Sequence, residues 1–270
     1  MEIGVYASCT DETLRPDEVA VLVEQAGFDV LQFGEHTHMP VLDTAPGSGM
    51  PRDWARLYDL LVALNTAALA TARLRVSSGI IQLGHRAPIA TAKALASIDL
   101  LSGGRVDLVV GHGAIPEQMR NHGIDPETRY DVVREHMLAM REIWRADEAT
   151  FHGKFVAFDR VQSWPKPEQP GGVPMFFGGN SPGSEDRARA YGDGWAPLAL
   201  DGTPERIRAF TAGGAGQPVV AVGLPTDPAV VEEYADAGAD RIVFRLASTE
   251  RDGIEAALEE VRACVAAVVG

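Results

Sequence analysis

The residues able to do chemistry fall in a few short segments of this 270-residue chain. Glu35-His36-Thr37-His38 directly follows an apolar run, Val30-Leu31-Gln32-Phe33 and Gly34. Alternate residues of an extended segment point to one side, so His36 and His38 have the spacing of a pair of imidazole metal ligands. The competing reading has each histidine capping a loop, and the later segments offer no third or fourth ligand. Gly178-Gly179-Asn180-Ser181 stands just before a helical pattern and suits a phosphate. Two glycines let backbone N–H groups approach an anion, and a helix N-terminus adds its dipole. Arg187 and Arg189 follow within the next turns. The same four residues also read as a tight strand-to-helix turn with Ser181 as N-cap, which needs no ligand. Gly111-His112-Gly113 is a weaker signal, because tight turns favour glycine for backbone reasons alone. Ser102-Gly103-Gly104-Arg105 precedes a strand and reads as a turn that serves stability.

Elements that would position these segments alternate along the chain. Strands are expected at Ile3–Ala7, Val30–Phe33, Leu74–Ile81, Arg105–Val110, Met175–Phe177, Trp195–Leu198, Val219–Val222 and Arg241–Leu246. Each is followed by a helical pattern, such as Val19, Leu22, Val23 and Ala26 after Pro16, or Leu57, Leu60, Leu61 and Leu64. Pro88 opens the third helix, a long one covers Glu127–Arg145, and others cover 182–191, 203–212 and 227–237. The last places Ile254, Ala257, Leu258, Val261 and Val265 on one face, with Glu255, Glu259 and Glu260 on a solvated one. Eight strands alternating with eight helices, the strands being continuous apolar runs, predict a (β/α)8 TIM barrel. The expected organisation is a single domain over 1–270 with rim insertions at about 37–51 and 147–174, the second holding a hairpin around Phe151–Phe158. In such barrels the active site lies at the C-terminal ends of the strands, where Glu35, His112 and Gly178 fall.

Composition excludes several classes. With 46% hydrophobic and 23% charged residues the chain is an ordinary globular one. Its 24 Lys+Arg against 38 Asp+Glu give a net charge of −14 with no basic run, which disfavours nucleic acid and anionic membrane as partners. Cys9 and Cys264 stand far apart with no CxxC, and read as free thiols in a reducing compartment. No signal peptide and no membrane-length apolar stretch is evident, so a cytoplasmic protein acting on a small molecule is expected.

Taken in order, several of these segments resemble the luciferase-like monooxygenase superfamily. The matching pieces are Gly27-Phe28-Asp29 with Glu35-His36, Arg86-Ala87-Pro88 with Ala92-Lys93 and Asp99, Leu101 to Arg105, Gly111-His112-Gly113, Glu117 to Gly123, Arg129, Glu135, Trp144, Phe151-His152-Gly153, Gly178-Gly179 and Tyr191-Gly192-Asp193-Gly194-Trp195. They cover roughly residues 1–200. The resemblance implies a barrel that binds FMN or the deazaflavin coenzyme F-420 at its C-terminal face, and often a homodimer. The Glu35 to Pro40 stretch is similar to the F-420-dependent oxidoreductase branch. That branch implies hydride transfer between C5 of the deazaflavin and a small organic substrate. FMN-dependent oxygenation, with reduced flavin from a partner reductase, is the alternative. Carried over residue by residue, His36 is the candidate proton donor or acceptor, and Glu35 its orienter or a ring contact. Ser78, Gly79 and Ile80 match a ring cradle with a non-prolyl cis peptide at Gly79–Ile80. Gly178, Gly179 and Asn180 match the segment holding the cofactor phosphate, with His112 facing cofactor or substrate. No metal is expected. An anionic coenzyme on so acidic a protein calls for a local basic lane, for which Arg86, Arg187 and Arg189 are the candidates. The segment Gly113-Ala114-Ile115-Pro116-Glu117 departs from relatives that carry an aromatic residue there, and it lacks the Gly-Glu pairing of the sugar-phosphate dehydrogenase branch.

Overall fold

The structure, a computed structural model, describes residues 1–41, 51–214 and 216–269. Chain order runs β1 (Glu2–Ala7), α1 (Pro16–Gln25), β2 (Val30–Phe33), α2 (Leu60–Ala70), β3 (Arg75–Gln82), α3 (Pro88–Ser102), β4 (Val106–Gly111), α4 (Pro116–Asn121) and α5 (Arg129–Arg145). It continues with the hairpin β5 (Ala149–His152) and β6 (Ala157–Val161), then β7 (Met175–Gly178), α6 (Ser184–Tyr191), β8 (Gly194–Ala196), α7 (Thr203–Ala212), β9 (Val220–Leu224), α8 (Pro228–Asp236), β10 (Arg241–Arg245) and α9 (Arg251–Val269). Local chemistry accounts for most of these limits. Pro16, Pro88 and Pro228 stand in the first turns of their helices, where no backbone donor is lost. Gly103, with φ 68°, caps α3 in the left-handed region. Asp59 accepts from the N–H groups of Leu61 and Val62 and starts α2.

Eight strands pair in parallel in the order β8-β7-β4-β3-β2-β1-β10-β9. Bridges from Trp195 to Val219 and from Leu198 to Val222 join the two ends, so the sheet closes into the expected barrel. Val109, Phe176, Ala196, Val220 and Val243 fill its interior. Below them Arg241 donates to both Asp107 oxygens at 3.1 and 2.8 Å and to Glu2 at 2.7 Å. Burial works against the Asp107 carboxylate, yet Arg241 holds it below its ordinary value. A larger apolar layer lies between strands and helices, including Leu31, Leu64, Leu95, Met137, Phe177 and Trp195.

Two segments differ from expectation in place or form. Residues 147–174 follow α5, which ends at the N-terminal face of the barrel; 166–169 are fastened there, while the hairpin tip at Phe155 runs back along α5 to Gly84 and His85. Gln169 bonds Asp99 and the Val106 carbonyl, and Lys166 donates to the carbonyls of Ile143 and Ala146. The hairpin lies along α5, where Glu135 accepts from the N–H groups of Lys154, Phe155 and Val156. The helix α4 was not foreseen, because six residues opened by a proline carry too little periodicity to read. Of the 37–51 segment, residues 42–50 lie outside the described residues. At the barrel's N-terminal end, Arg105 donates to the carbonyls of Ala68, Thr71, Leu74 and Ser102, which gives the Ser102–Arg105 turn its stabilising part. Among the described residues no helix is long and apolar enough to cross a membrane.

Candidate active site

A cleft opens at the C-terminal ends of the strands in two adjoining lobes. One, of about 390 Å³, is lined by Tyr6, Gly34, Leu57, Gly223 and Arg245; the other, of about 360 Å³, by Gln82, Gly111 to Ile115, Gly178 and Gly179. Glu35, His36, Trp54, Gly79, Ile80, Leu198 and Val222 border both.

At the junction of the lobes the peptide Gly79–Ile80 is cis. There the register of β3 on β4 shifts, leaving part of β4 without its usual ladder partners. Ser78 fills the gap: its Oγ donates to the Val109 carbonyl at 3.0 Å and accepts the Val109 N–H at 2.9 Å. Ser78 thus faces β4 and does not line the cleft, so any part in a ring cradle is to hold the bulge. Glycine is required at two neighbouring positions by close approach. A Cβ on Gly111 would collide with the Ile80 side chain, and one on Gly79 would lie 2.6 Å from Gln32 Oε1.

Glu35 and His36 are held by a chain of contacts that starts on α2. Asp59 accepts from Arg86 Nη2 at 2.7 Å, and Arg86 Nε donates to Glu35 Oε1 at 2.5 Å, with Nη2 also against that oxygen. The Gln82 N–H donates to Glu35 Oε2 at 2.6 Å. Burial pushes the Glu35 carboxyl above its ordinary value, and Arg86 opposes that. Both oxygens are therefore occupied, which suits Glu35 to orientation more than to proton transfer. Gln82 Nε2 donates to the Glu35 carbonyl at 2.8 Å and lies 3.2 Å from His36 Nδ1. Gln118 of α4 reaches the same nitrogen at 3.4 Å. Trp54 stacks on the imidazole, with ring centroids 4.6 Å apart and planes 16° apart. Among the described residues Nε2 of His36 has no partner. Burial pushes the His36 pKa down, so the ring is neutral at pH 7.

His38 points away from this chain. Its nitrogens meet Thr37 Oγ1 and Asn121 Nδ2, both at 3.0 Å, which makes it a clip between the loop and α4. Among the described residues no three His, Cys, Asp or Glu side chains are grouped to hold a metal.

The second lobe ends in a polar corner, where Arg129 and Arg187 each donate to one backbone carbonyl, of Pro126 and Pro182, and keep other N–H groups spare. His112 lies 4.4 Å from the Tyr130 ring, and its Nδ1 is buried with no partner among the described residues. Burial, and then the neighbouring Arg129 and Arg187, push its pKa down to about 4. Those two guanidiniums lie 4.6 and 3.9 Å from the centroid of Tyr130, whose hydroxyl reaches Ser181 at 3.3 Å. Neither has a carboxylate partner among the described residues. Gly179, with φ 100°, turns the chain sharply here. Asn180 spends its side chain on Leu198 and Thr203, so its own N–H and that of Ser181 are what it leaves for a ligand. The N-cap of α6 is Gly183, not Ser181. Of the expected basic lane, Arg187 is in place, but Arg86 is committed to Glu35 and Asp59, and Arg189 packs on Phe210. Sequence reasoning gave no site role to Arg129, Tyr130, Gln82 or Gln118, although Arg129 and the Glu117–Gly123 segment are among the pieces that resemble the family. Tyr130 and Gln82 stand in no local motif, so nothing short of the fold marks them.

Gln32 is a further buried oddity. It is fully buried beneath Gly79, and neither amide atom has a partner among the described residues.

Comparison with known proteins places the chain in a defined group. A family model described as luciferase-like monooxygenase matches residues 14–268. An uncharacterized protein of Mycobacterium tuberculosis is 32% identical over the full length of both chains. The F420-dependent hydroxymycolic acid dehydrogenase of the same organism is 29% identical over 78% of this chain and 57% of that one. An FMNH(2)-dependent dimethylsulfone monooxygenase of Pseudomonas putida is 34% identical over 49% of this chain and 37% of that one. Among solved structures, an F420-dependent secondary alcohol dehydrogenase in complex with an F420-acetone adduct shares the fold. Its TM-score is 0.78 at 19% identity, over 100% of this chain and 99% of that one.

Proposed function

The chain belongs to the luciferase-like monooxygenase family, a group of oxidoreductases, and on that premise we propose that it moves a hydride between coenzyme F-420 and a small organic substrate. The observation that carries this reading is the two-lobed cleft, with His36 bordering both lobes and a corner beyond His112 that holds Arg129 and Arg187. The corner fits a phosphorylated cofactor. Arg129 and Arg187 each give one N–H to a backbone carbonyl, of Pro126 and Pro182, and keep the others for a phosphate. Among the described residues the N–H groups of Asn180 and Ser181 are unengaged and His112 Nδ1 lacks a partner. Gly178 and Gly179 let the tail approach the backbone, while Gly79 and Ile80 back the ring. The longer F420-dependent match supports the deazaflavin over FMN.

When bound, the deazaflavin supplies a hydride acceptor or donor at C5 of its ring. The protein's part is orientation and proton transfer. His36 exchanges the substrate proton at Nε2. With Gln118 Oε1 accepting from Nδ1–H, Nε2 offers a lone pair; with Gln82 Nε2 donating to Nδ1, Nε2 carries the proton. Two amides thus serve both tautomers, and the Glu35–Arg86 pair holds Gln82 in place. Because burial lowers the His36 pKa, the base form persists below the ordinary histidine value of about 6.5. Turnover that needs the base should therefore fall on an acid limb below that value. His36→Ala should cut kcat about a hundredfold or more with little change in cofactor affinity. Equal losses in both would refute the role.

Apolar side chains of Val62 and Leu69 on α2 and Leu100 and Leu101 on α3 are exposed on neighbouring helices, which supports a homodimer through that face. Cys9 and Cys264 are free and buried, in keeping with a reducing, cytoplasmic setting. The deciding experiment titrates the purified protein with coenzyme F-420 and, separately, with FMN. Micromolar binding of the deazaflavin alone supports the proposal. Preference for FMN favours an oxygenase fed by a reductase, the reading supported by the dimethylsulfone monooxygenase likeness. Binding of neither overturns both.

A further inference from the structure

The lobe away from the phosphate corner has its own polar end. Arg245 closes it, at the C-terminal end of β10 and beside Tyr6, its register partner on β1. The guanidinium lies 5.9 Å from the Tyr6 ring centroid and has no carboxylate partner among the described residues. The other arginines near this lobe are neutralised: Arg86 by Glu35 and Asp59, and Arg56 by Asp11 and Glu12. An exposed cation without a carboxylate partner among the described residues is unexpected at a cavity of a chain with net charge −14. Apart from His36 and from Glu35, which Arg86 holds, the other side-chain walls of the lobe are apolar or aromatic: Tyr6, Trp54, Leu57, Ile80, Leu198 and Val222.

From this we propose that the substrate is an organic acid, with its carboxylate on Arg245, an apolar body along Trp54 and Leu198, and its reacting carbon beneath His36. The assignment rests on the cofactor reading in one respect: the Arg129–Arg187 corner takes the cofactor's anionic tail, which leaves Arg245 for the substrate. Strands β2 and β10 flank β1, so they stand two strand spacings, about 10 Å, apart across the sheet, and His36 lies a further three residues beyond the end of β2. The acid and the reacting carbon are thus separated by a chain of several carbons. A single guanidinium beside the Tyr6 ring balances one negative charge, which selects a carboxylate over a dianionic phosphate.

The test uses hexanoate, its neutral isostere hexanamide, and butyl phosphate. Binding to the protein with and without coenzyme F-420 is followed by ligand-observed NMR for wild type, Arg245→Gln and Arg245→Lys. Hexanoate should bind roughly tenfold or more tightly than hexanamide, as one charge-assisted contact implies. Arg245→Gln should erase that preference and Arg245→Lys keep part of it, with coenzyme F-420 affinity unchanged in both. Equal binding of acid and amide, or a preference that survives Arg245→Gln, overturns the proposal. Butyl phosphate binding more tightly than hexanoate overturns the carboxylate assignment. Loss of coenzyme F-420 affinity in Arg245→Gln gives Arg245 to the cofactor and overturns it as well. If wild type binds neither F-420 nor FMN yet prefers hexanoate through Arg245, the cofactor reading fails and the acid subsite stands.

Discussion

Replacing Arg86 by leucine isolates the contact on which the His36 arrangement depends. The Glu35 carboxylate is only 4% exposed and receives the guanidinium through Nε and Nη2. Removing one partner of a buried pair leaves an uncompensated charge and costs about 3–5 kcal/mol. The second partner, Asp59, is largely in water and adds at most about 1 kcal/mol. A loss of about 4 kcal/mol is expected at pH 8.5, or roughly 10 °C in Tm for a chain of this size. The loss must depend on pH. Without Arg86 nothing but the Gln82 N–H opposes burial, so the folded-state pKa of Glu35, already above its ordinary value in the wild type, climbs further. Between the wild-type and variant values the folded variant holds a proton that the folded wild type has released, while the unfolded chains behave alike. The penalty is therefore complete above the variant's folded-state pKa and shrinks as pH falls, by up to about 1.4 kcal/mol per unit. Urea titrations of wild type and variant at pH 8.5 and 5.5 measure it. The difference between the proteins should be at least about 1 kcal/mol smaller at the lower pH. Adding Glu35→Gln to Arg86→Leu should recover a large part of the loss at pH 8.5. The same loss at both pH values, or a total below about 1 kcal/mol, would refute the picture of a buried, charged pair.

Other consequences are open to equally direct checks. Ser78→Ala leaves the N–H and C=O of Val109 unpaired inside the barrel and should cost about 2–4 kcal/mol in a urea titration. Gln32→Met removes two unsatisfied buried polar atoms at similar volume, so the Tm of the ligand-free protein should stay level or rise; a fall of several degrees would show that the amide has a partner. His85 and His112 are both held near a pKa of about 4 by burial, while the unfolded chain takes up protons near 6.5. Stability should therefore be level above pH 7 and decline as pH falls from about 6.5 toward 4, by up to about 1.4 kcal/mol per unit for each ring. Guanidinium midpoints across that range, compared with those of His112→Phe, test this: the variant should decline less steeply.

How far the sequence reaches depends on the range of the physics involved. Strand and helix limits follow from neighbours a few residues apart, and Val30–Phe33 and Thr203–Ala212 are read to the residue for that reason. Eight alternations imply the barrel, and the barrel places Glu35, His112 and Gly178 on its C-terminal face. Family resemblance then marks Gly79–Ile80, where the structure has a cis peptide. What the sequence leaves open is which way each side chain turns and whom it meets. Ser78 adjoins the bulge yet faces β4, and Asn180 follows the two glycines yet spends its amide on Leu198 and Thr203. Arg86 meets Glu35 across 51 residues, and Arg245 comes beside Tyr6 only because β10 pairs with β1. Such partners are set by strand register and barrel closure, in which every position depends on all the others packed around it. A local pattern can therefore identify the segments of this site, while the pairing of its charges and the direction of its free polar atoms belong to the closed barrel alone.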